Sequence, residues 1–257
     1  IIWALRTMSV ACDDAGNPIT PETGYAPQKR LYYFREVTTE PVIPFAEKIL
    51  FQDVNILVAC KPHFLPVTPG GKYVDGCLLN RLRRTTGIQE LAPLHRIDRE
   101  TAGIVLFSVN KGTRGRYGEL FMNGVVEKTY QAISVCRQLQ ETAAWSVESR
   151  IERGEPWFRM KTVSGTVNAR SVIKLVEVKG ERACFNLHPL TGKTHQLRIH
   201  MSGLGFGIQN DRYYPELQPE SPDNFDAPLQ LLAKSVRFRD PLDGAIREFV
   251  SGRKLLW

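Results

Sequence analysis

The stretch His95-Arg96-Ile97-Asp98-Arg99-Glu100-Thr101-Ala102-Gly103 sets one carboxylate, Asp98, between two arginines, just before the apolar run Ile104-Val105-Leu106-Phe107. An ionised carboxylate beside a core is costly unless cations and hydrogen bonds keep it charged. Arg96 and Arg99 could supply that compensation, and Gly103 leaves room for close backbone approach. Two readings stay open on chemistry alone. Asp98 could belong to a surface ion-pair cluster capping a strand, or be a catalytic carboxylate acting as nucleophile or base.

Other patterns of chemical interest fail on spacing. Gly192-Lys193-Thr194 has the end of a phosphate-binding loop, but Leu187 stands where that loop needs its first glycine. His95-Arg96 is followed by Ile97, where a kinase catalytic loop requires Asp. Cys184, His188, His195 and His200 fit no familiar zinc spacing, and no metal is expected.

Four blocks in order carry a family resemblance. Residues 95–103 resemble the H-R-L-D-R-x-T-S-G motif of the RluA-type pseudouridine synthases. Asp53-Val54-Asn55-Ile56-Leu57-Val58-Ala59-Cys60-Lys61-Pro62 and the following residues to Pro69 are similar to that family's D-x-x-L-V-x-x-K-P opening. Lys128-Thr129-Tyr130-Gln131-Ala132 resembles its K-x-Y-x-A strand. Thr191-Gly192-Lys193-Thr194-His195-Gln196-Leu197-Arg198-Ile199-His200 resembles T-G-R-T-H-Q-I-R-x-H. The resemblance covers the chain from about residue 44 onward.

The resemblance implies isomerisation of a uridine to pseudouridine in ribosomal or transfer RNA, with no cofactor. It makes Asp98 the catalytic residue and Arg198 the buried cation facing it. Tyr130 would stack on uracil, its hydroxyl helping to remove the C5 proton. Arg96 would enter the space vacated by a flipped nucleotide, and His95 would orient the loop by hydrogen bonding. Ile199 would pack on uracil or serve the core; Lys61 would reach phosphate or support the site; Arg99 would help bind substrate beside Asp98. Departures exist: Thr101-Ala102-Gly103 replaces T-S-G, Gly205-Phe206-Gly207-Ile208-Gln209-Asn210-Asp211 replaces G-x-P-I-x-G-D, and Leu231-Leu232-Ala233 replaces L-H-A. A non-catalytic RNA-binding or ribosome-assembly protein is the main rival. A glycosidase-like hydrolase would need two carboxylates flanking the bond.

The elements that must position these residues read mostly as strands. β-Branched and apolar content marks Ile56–Cys60, Gly103–Val109, Thr129–Val135, Trp157–Thr162, Ser171–Val178 and Arg182–Leu187. Arg114–Asn123 and Thr194–Leu204 read as helices, the second with Leu197, Met201 and Leu204 facing inward, Thr194 as N-cap and Gly205 as the stop. No regular βαβ alternation appears, so the fold class is α+β. The family resemblance adds a mostly antiparallel bent central β-sheet flanked by helices, with an RNA-binding cleft.

Residues 1–43 form a separate N-terminal segment: a turn-rich stretch, an aromatic strand at Leu31–Phe34 and an extended linker. It is expected to be a remnant of an S4-like RNA-binding module, with the catalytic domain at 44–257. The start Ile1-Ile2-Trp3-Ala4-Leu5 is too short and lacks the basic flank for a signal peptide, and the missing Met implies an absent or processed terminus. Five scattered cysteines form no disulfide framework, which fits a cytoplasmic protein. A net charge of +7 suits a polyanionic partner, here RNA. Three basic groups, around Arg81–Arg99, Lys111–Arg116 and Lys193–His200, would read phosphate if they converge. No apolar run spans a bilayer, and the chain is expected to be monomeric.

Overall fold

Ile56–Lys61 and Ala102–Ser108 are buried at every position, the pattern of strands covered on both faces. In the computed structural model, which describes residues 11–27, 30–33, 39–136 and 143–256, these two strands lie side by side. The chain divides into two units, Ile1–Glu40 and Pro41–Trp257. The described part of the first is a short antiparallel pair, β1 (Ala11–Cys12) with β2 (Tyr32–Tyr33). Phe34 of the expected aromatic strand, and the apolar start Ile1–Leu5, lie outside the described residues.

The second unit holds an 11-stranded sheet. Its strands are β3 (Lys48–Gln52), β4 (Ile56–Lys61), β5 (Ala92–Pro93), β6 (Ala102–Ser108), β7 (Glu127–Val135) and β8 (Ala144–Arg153), then β9 (Met160–Val163), β10 (Ala169–Lys179), β11 (Arg182–Pro189), β12 (Leu231–Arg239) and β13 (Ile246–Val250). Their order is β3-β4-β6-β12-β7-β11-β10-β8-β9, with β5 on β6 and β13 on β12. Among the described strands only β6 and β12 pair in parallel. Three described helices accompany the sheet: α1 (Leu78–Thr86), α2 (Arg114–Met122) and α3 (Gln196–Gly203). The α+β class, with a mostly antiparallel sheet, therefore holds.

The parallel pair explains Gly103. It sits opposite Ala233 at φ +119°, and a Cβ placed there would lie 2.2 Å from the Ala233 carbonyl oxygen. No side chain fits that approach. Ala233 in turn pairs with Tyr130 on β7, so Gly103, Ala233 and Tyr130 form one row across three strands. The Asp98 loop feeds directly into that row. The sheet thus brings motifs far apart in sequence to one place.

Some elements differ from expectation. The strand expected at Trp157–Thr162 is confined to Met160–Val163, because a turn closes with Gly154 N–H on the Arg159 carbonyl at 2.8 Å. α1 arises where no helix was expected. It buries Leu78, Leu79 and Leu82 and ends at Gly87 in the left-handed conformation. Its arginines drew attention as charge, when they form the polar face of an amphipathic helix. β3, β8, β12 and β13 were likewise unassigned. The N-cap of α3 falls one residue later than the expected Thr194: it is His195, at φ 55°, and the Gln196 side chain accepts the Lys193 N–H at 3.0 Å. Leu197 and Met201 are buried in one cluster with Ala132, Phe185 and Leu187, and Leu204 packs on it.

Candidate active site

Asp98 lies in the loop before β6, with a quarter of its side chain open to solvent. Arg198, one step round α3 from the buried Leu197, directs Nη1 to Asp98 Oδ2 at 3.5 Å. The two residues are a hundred positions apart, and β6 and α3 bring them together. Arg198 is 1% exposed, so its charge needs close compensation. Most of it comes from Asp211: Nε and Nη2 donate to the two Asp211 oxygens at 2.7 and 2.6 Å. Asp211 Oδ1 also accepts the N–H groups of Tyr213 (2.8 Å) and Tyr214 (3.1 Å). Burial alone would lower the guanidinium pKa, but Asp211, with help from Asp98, raises it above the usual arginine value.

One cation between two carboxylates leaves a net negative charge. Asp211 is sealed and fully bonded, whereas Asp98 holds its cation by one long contact. Of the two, only Asp98 is therefore open to an incoming molecule. Asp211 was missed as a site residue; its only signal was its place at the end of the altered 205–211 segment. Tyr213 and Tyr214 were missed too. Their rings lie 4.8 and 5.4 Å from the Arg198 guanidinium, adding cation–π contacts to the clamp.

His195 reaches the same place through its left-handed backbone, a conformation that costs a non-glycine residue roughly 1–2 kcal/mol. Its Nδ1 bonds the Tyr214 hydroxyl at 2.9 Å, and its Nε2 lies 3.9 Å from Asp98 Oδ2. Tyr130 packs partly buried between two core clusters. Burial, and then the Asp98 charge, push its phenol well above the usual tyrosine pKa. The hydroxyl therefore holds its proton more firmly than a free phenol.

The other expected site residues separate into supports and one free group. His95 accepts the Leu106 N–H on Nε2 at 3.1 Å and stacks on Phe121 at 4.5 Å, tying its loop to β6. Lys61 does not reach phosphate. It is fully buried, and Nζ donates to the carbonyls of Pro62, Leu65 and Arg99 at 3.0, 2.6 and 3.0 Å. Desolvation lowers its pKa to about 7. Arg99 is not free for substrate either: it grips Asp223 with two bonds of 2.8 Å and also meets Glu100 and the Tyr73 hydroxyl. Ile199, 8% exposed, sits in a core cluster with Ile151, Ala169 and Tyr214. Arg96 is exposed.

Arg81, Arg83 and Arg84 of the first basic group are engaged within the fold. Arg81 bonds Glu47 and the carbonyls of Ile43 and Phe45, Arg83 bonds the Leu91 carbonyl, and Arg84 pairs with Asp75. Arg198 and His200 are buried, which leaves Lys193 as the exposed cation of the third group beside the half-buried His195.

All five histidines have lowered pKa values, each chiefly from burial, with His63 and His200 near 4 and His95 near 3. In the unfolded chain they titrate near 6.5. Between those values the unfolded state binds more protons, so the histidine contribution to stability is full above pH 6.5 and falls as pH drops. Each histidine contributes up to about 1.4 kcal/mol per pH unit over its window. Urea titrations between pH 7.5 and 4.5 should show a steady loss; a flat profile would mean that the imidazoles are hydrated in the native state.

Among the described residues no helix is long and apolar enough to cross a membrane, and no group of His, Cys, Asp and Glu is placed to hold a metal. A family model described as RNA pseudouridylate synthase matches residues 55–203. The mitochondrial tRNA pseudouridine(32) synthase of Saccharomyces cerevisiae is 30% identical over 183 residues, 69% of this chain but only 38% of the yeast protein. The dual-specificity RNA pseudouridine synthase RluA of Haemophilus influenzae is 28% identical over 214 residues, 81% of this chain and 94% of that protein. The human RNA pseudouridylate synthase domain containing 4 has a TM-score of 0.61 at 26% identity, covering 81% of this chain and 88% of its own. Since the matched segment holds Asp98, Tyr130 and Arg198 together, the chain belongs to the RluA-type family of RNA pseudouridine synthases.

Proposed function

We propose that this chain isomerises a uridine to pseudouridine in ribosomal or transfer RNA, with Asp98 as the catalytic carboxylate. One observation carries the reading: an open carboxylate faces a buried arginine whose own charge is fixed by a sealed second carboxylate. That arrangement sets a cation beside Asp98 without tying the carboxylate up. The C1′–N1 bond breaks, the uracil turns, and C1′–C5 forms; N1 gains a proton and C5 loses one to solvent. Tyr130 offers its ring to the uracil. A hydrolase using two flanking carboxylates is disfavoured, because Asp211 is 1% exposed and already bonded.

The direct test is tritium release from transfer- and ribosomal-RNA transcripts carrying [5-³H]uridine, using protein dialysed against chelator. Release matched by pseudouridine in the digested RNA is the expected result. Binding of these RNAs without release from any would favour the non-catalytic RNA-binding reading.

Arg96, exposed and two residues from Asp98, is proposed to fill the gap left by the flipped nucleotide. Its planar guanidinium can stack on bases and bond an orphaned partner. Extruding a base from a stack costs a few kcal/mol, and a flexible strand has less to lose. Arg96→Ala should slow modification of a structured stem-loop at least ten-fold more than that of a flexible strand containing the same uridine. Equal losses on both would recast Arg96 as a support for Asp98.

A further inference from the structure

An aromatic column leads outward from the catalytic pair. Arg198, in contact with Asp98, lies under the Tyr213 ring at 4.8 Å. Tyr213 meets Phe158 at 5.3 Å between centroids, and Phe158 meets Trp157 edge-on at 5.9 Å. The column ends in solvent. Trp157 is 73% exposed and Phe158 36% exposed, at the tip of the β8–β9 hairpin. An indole so open on a well-held turn contributes little to folding. The turn itself is closed by backbone bonds from Gly154 to Arg159 and from Arg159 to Pro156, both 2.8 Å, so the rings are presented without help from a core.

The surroundings select the occupant. The hairpin residues 150–161 carry Arg150, Arg153, Arg159 and Lys161 against Glu152 and Glu155. Arg150 is taken by Glu152, and Arg159 by the Pro215 carbonyl and the Tyr214 ring. Arg153 and Lys161 are exposed. Phe158 and Tyr213 also line a cavity of about 470 Å³ bordered by Lys72, Arg212 and Arg198. Neither Asp98 nor Tyr130 lines it, so it adjoins the uridine position without coinciding with it. Flat aromatic faces flanked by cations suit an unstacked base on a phosphate backbone, the combination used for single-stranded nucleic acid.

We propose that Trp157 and Phe158 form a second nucleobase subsite, which stacks an unpaired base of the same RNA strand near the target uridine. The proposal rests on the RNA-modifying reading and adds a contact that needs no base identity. Stacking on an aromatic face is tolerant of sequence, so the subsite would hold the strand open while leaving the choice of uridine to other contacts.

The test uses the full chain, with a nine-nucleotide oligouridine and an abasic ribose-phosphate strand of equal length as probes. Oligouridine should quench tryptophan emission in the wild type, and the quench should vanish in Trp157→Phe while affinity is kept. Trp157→Ala should weaken oligouridine binding about ten-fold, within the range of one lost stacked base, without changing the salt dependence. Lys161→Ala should instead flatten that salt dependence. On an RNA that the enzyme converts, Trp157→Ala should raise KM more than it lowers kcat. Equal affinity of Trp157→Ala and wild type for oligouridine would overturn the proposal, as would equal quenching by the abasic strand. If no RNA is converted, the reading of the reaction fails, yet the titration still decides whether Trp157 stacks a base.

Discussion

Asp98→Asn is expected to keep the fold and RNA binding while losing pseudouridine formation by about three orders of magnitude or more. Asn has almost the shape of Asp but neither its charge nor its capacity to attack. The fold should survive because Asp98 contributes little packing: a quarter of the side chain is open, and its contact with Arg198 is 3.5 Å long. Arg198 also stays compensated by Asp211 in the variant. Tritium release from [5-³H]uridine RNA, with circular dichroism and RNA binding as controls, separates loss of chemistry from loss of structure. Near-normal turnover would remove Asp98 as the catalyst. Wild-type binding with abolished release would assign it to the chemical step.

Arg198→Met should be the most damaging single change to stability. Its guanidinium is fully buried and bonded twice to Asp211, which is itself 1% exposed. Breaking a buried pair by removing one partner typically costs ~3–5 kcal/mol, because the other charge is stranded. The double variant Arg198→Met/Asp211→Asn removes both charges and should regain a large part of that loss. It should nevertheless remain inactive, because Asp98 then faces no cation. Urea unfolding and tritium release on the same three proteins check both parts. Recovery of activity in the double variant would show that Arg198 serves the fold alone. Equal stability of the single and double variants would show that Asp211 is hydrated and not stranded.

How legible this was in the sequence differs from residue to residue. Asp98, Tyr130 and Arg198 stood in local motifs, and local motifs survive as short runs of letters. Ile56–Lys61 and Ala102–Ser108 were legible because a strand buried on both faces must be apolar throughout. α3 was legible from its inward leucine and methionine, although its cap was not: His195 takes a strained backbone to aim its ring at Asp98, and propensity cannot foresee strain justified by a distant partner. α1 was hidden because its arginines looked like a nucleic-acid patch until Glu47, Leu91 and Asp75 were seen to hold them.

Sequence by itself determined the chemistry on offer: one carboxylate before an apolar strand, a glycine for close approach, an aromatic strand residue, an arginine on an amphipathic helix and a basic balance. Tertiary structure decided what each of them does. Arg198 turned out to be clamped by Asp211, thirteen residues further along, and only then aimed at Asp98. Lys61 and Arg99 have the residue types of phosphate binders, but burial and nearby acceptors convert them into braces. Trp157 read as part of a strand and proved to be an open ring at a turn. The physical reason is the same throughout. Residue type sets which interactions a side chain can make, whereas desolvation and the partners within about 4 Å decide which of them it does make, and those partners are usually distant in sequence.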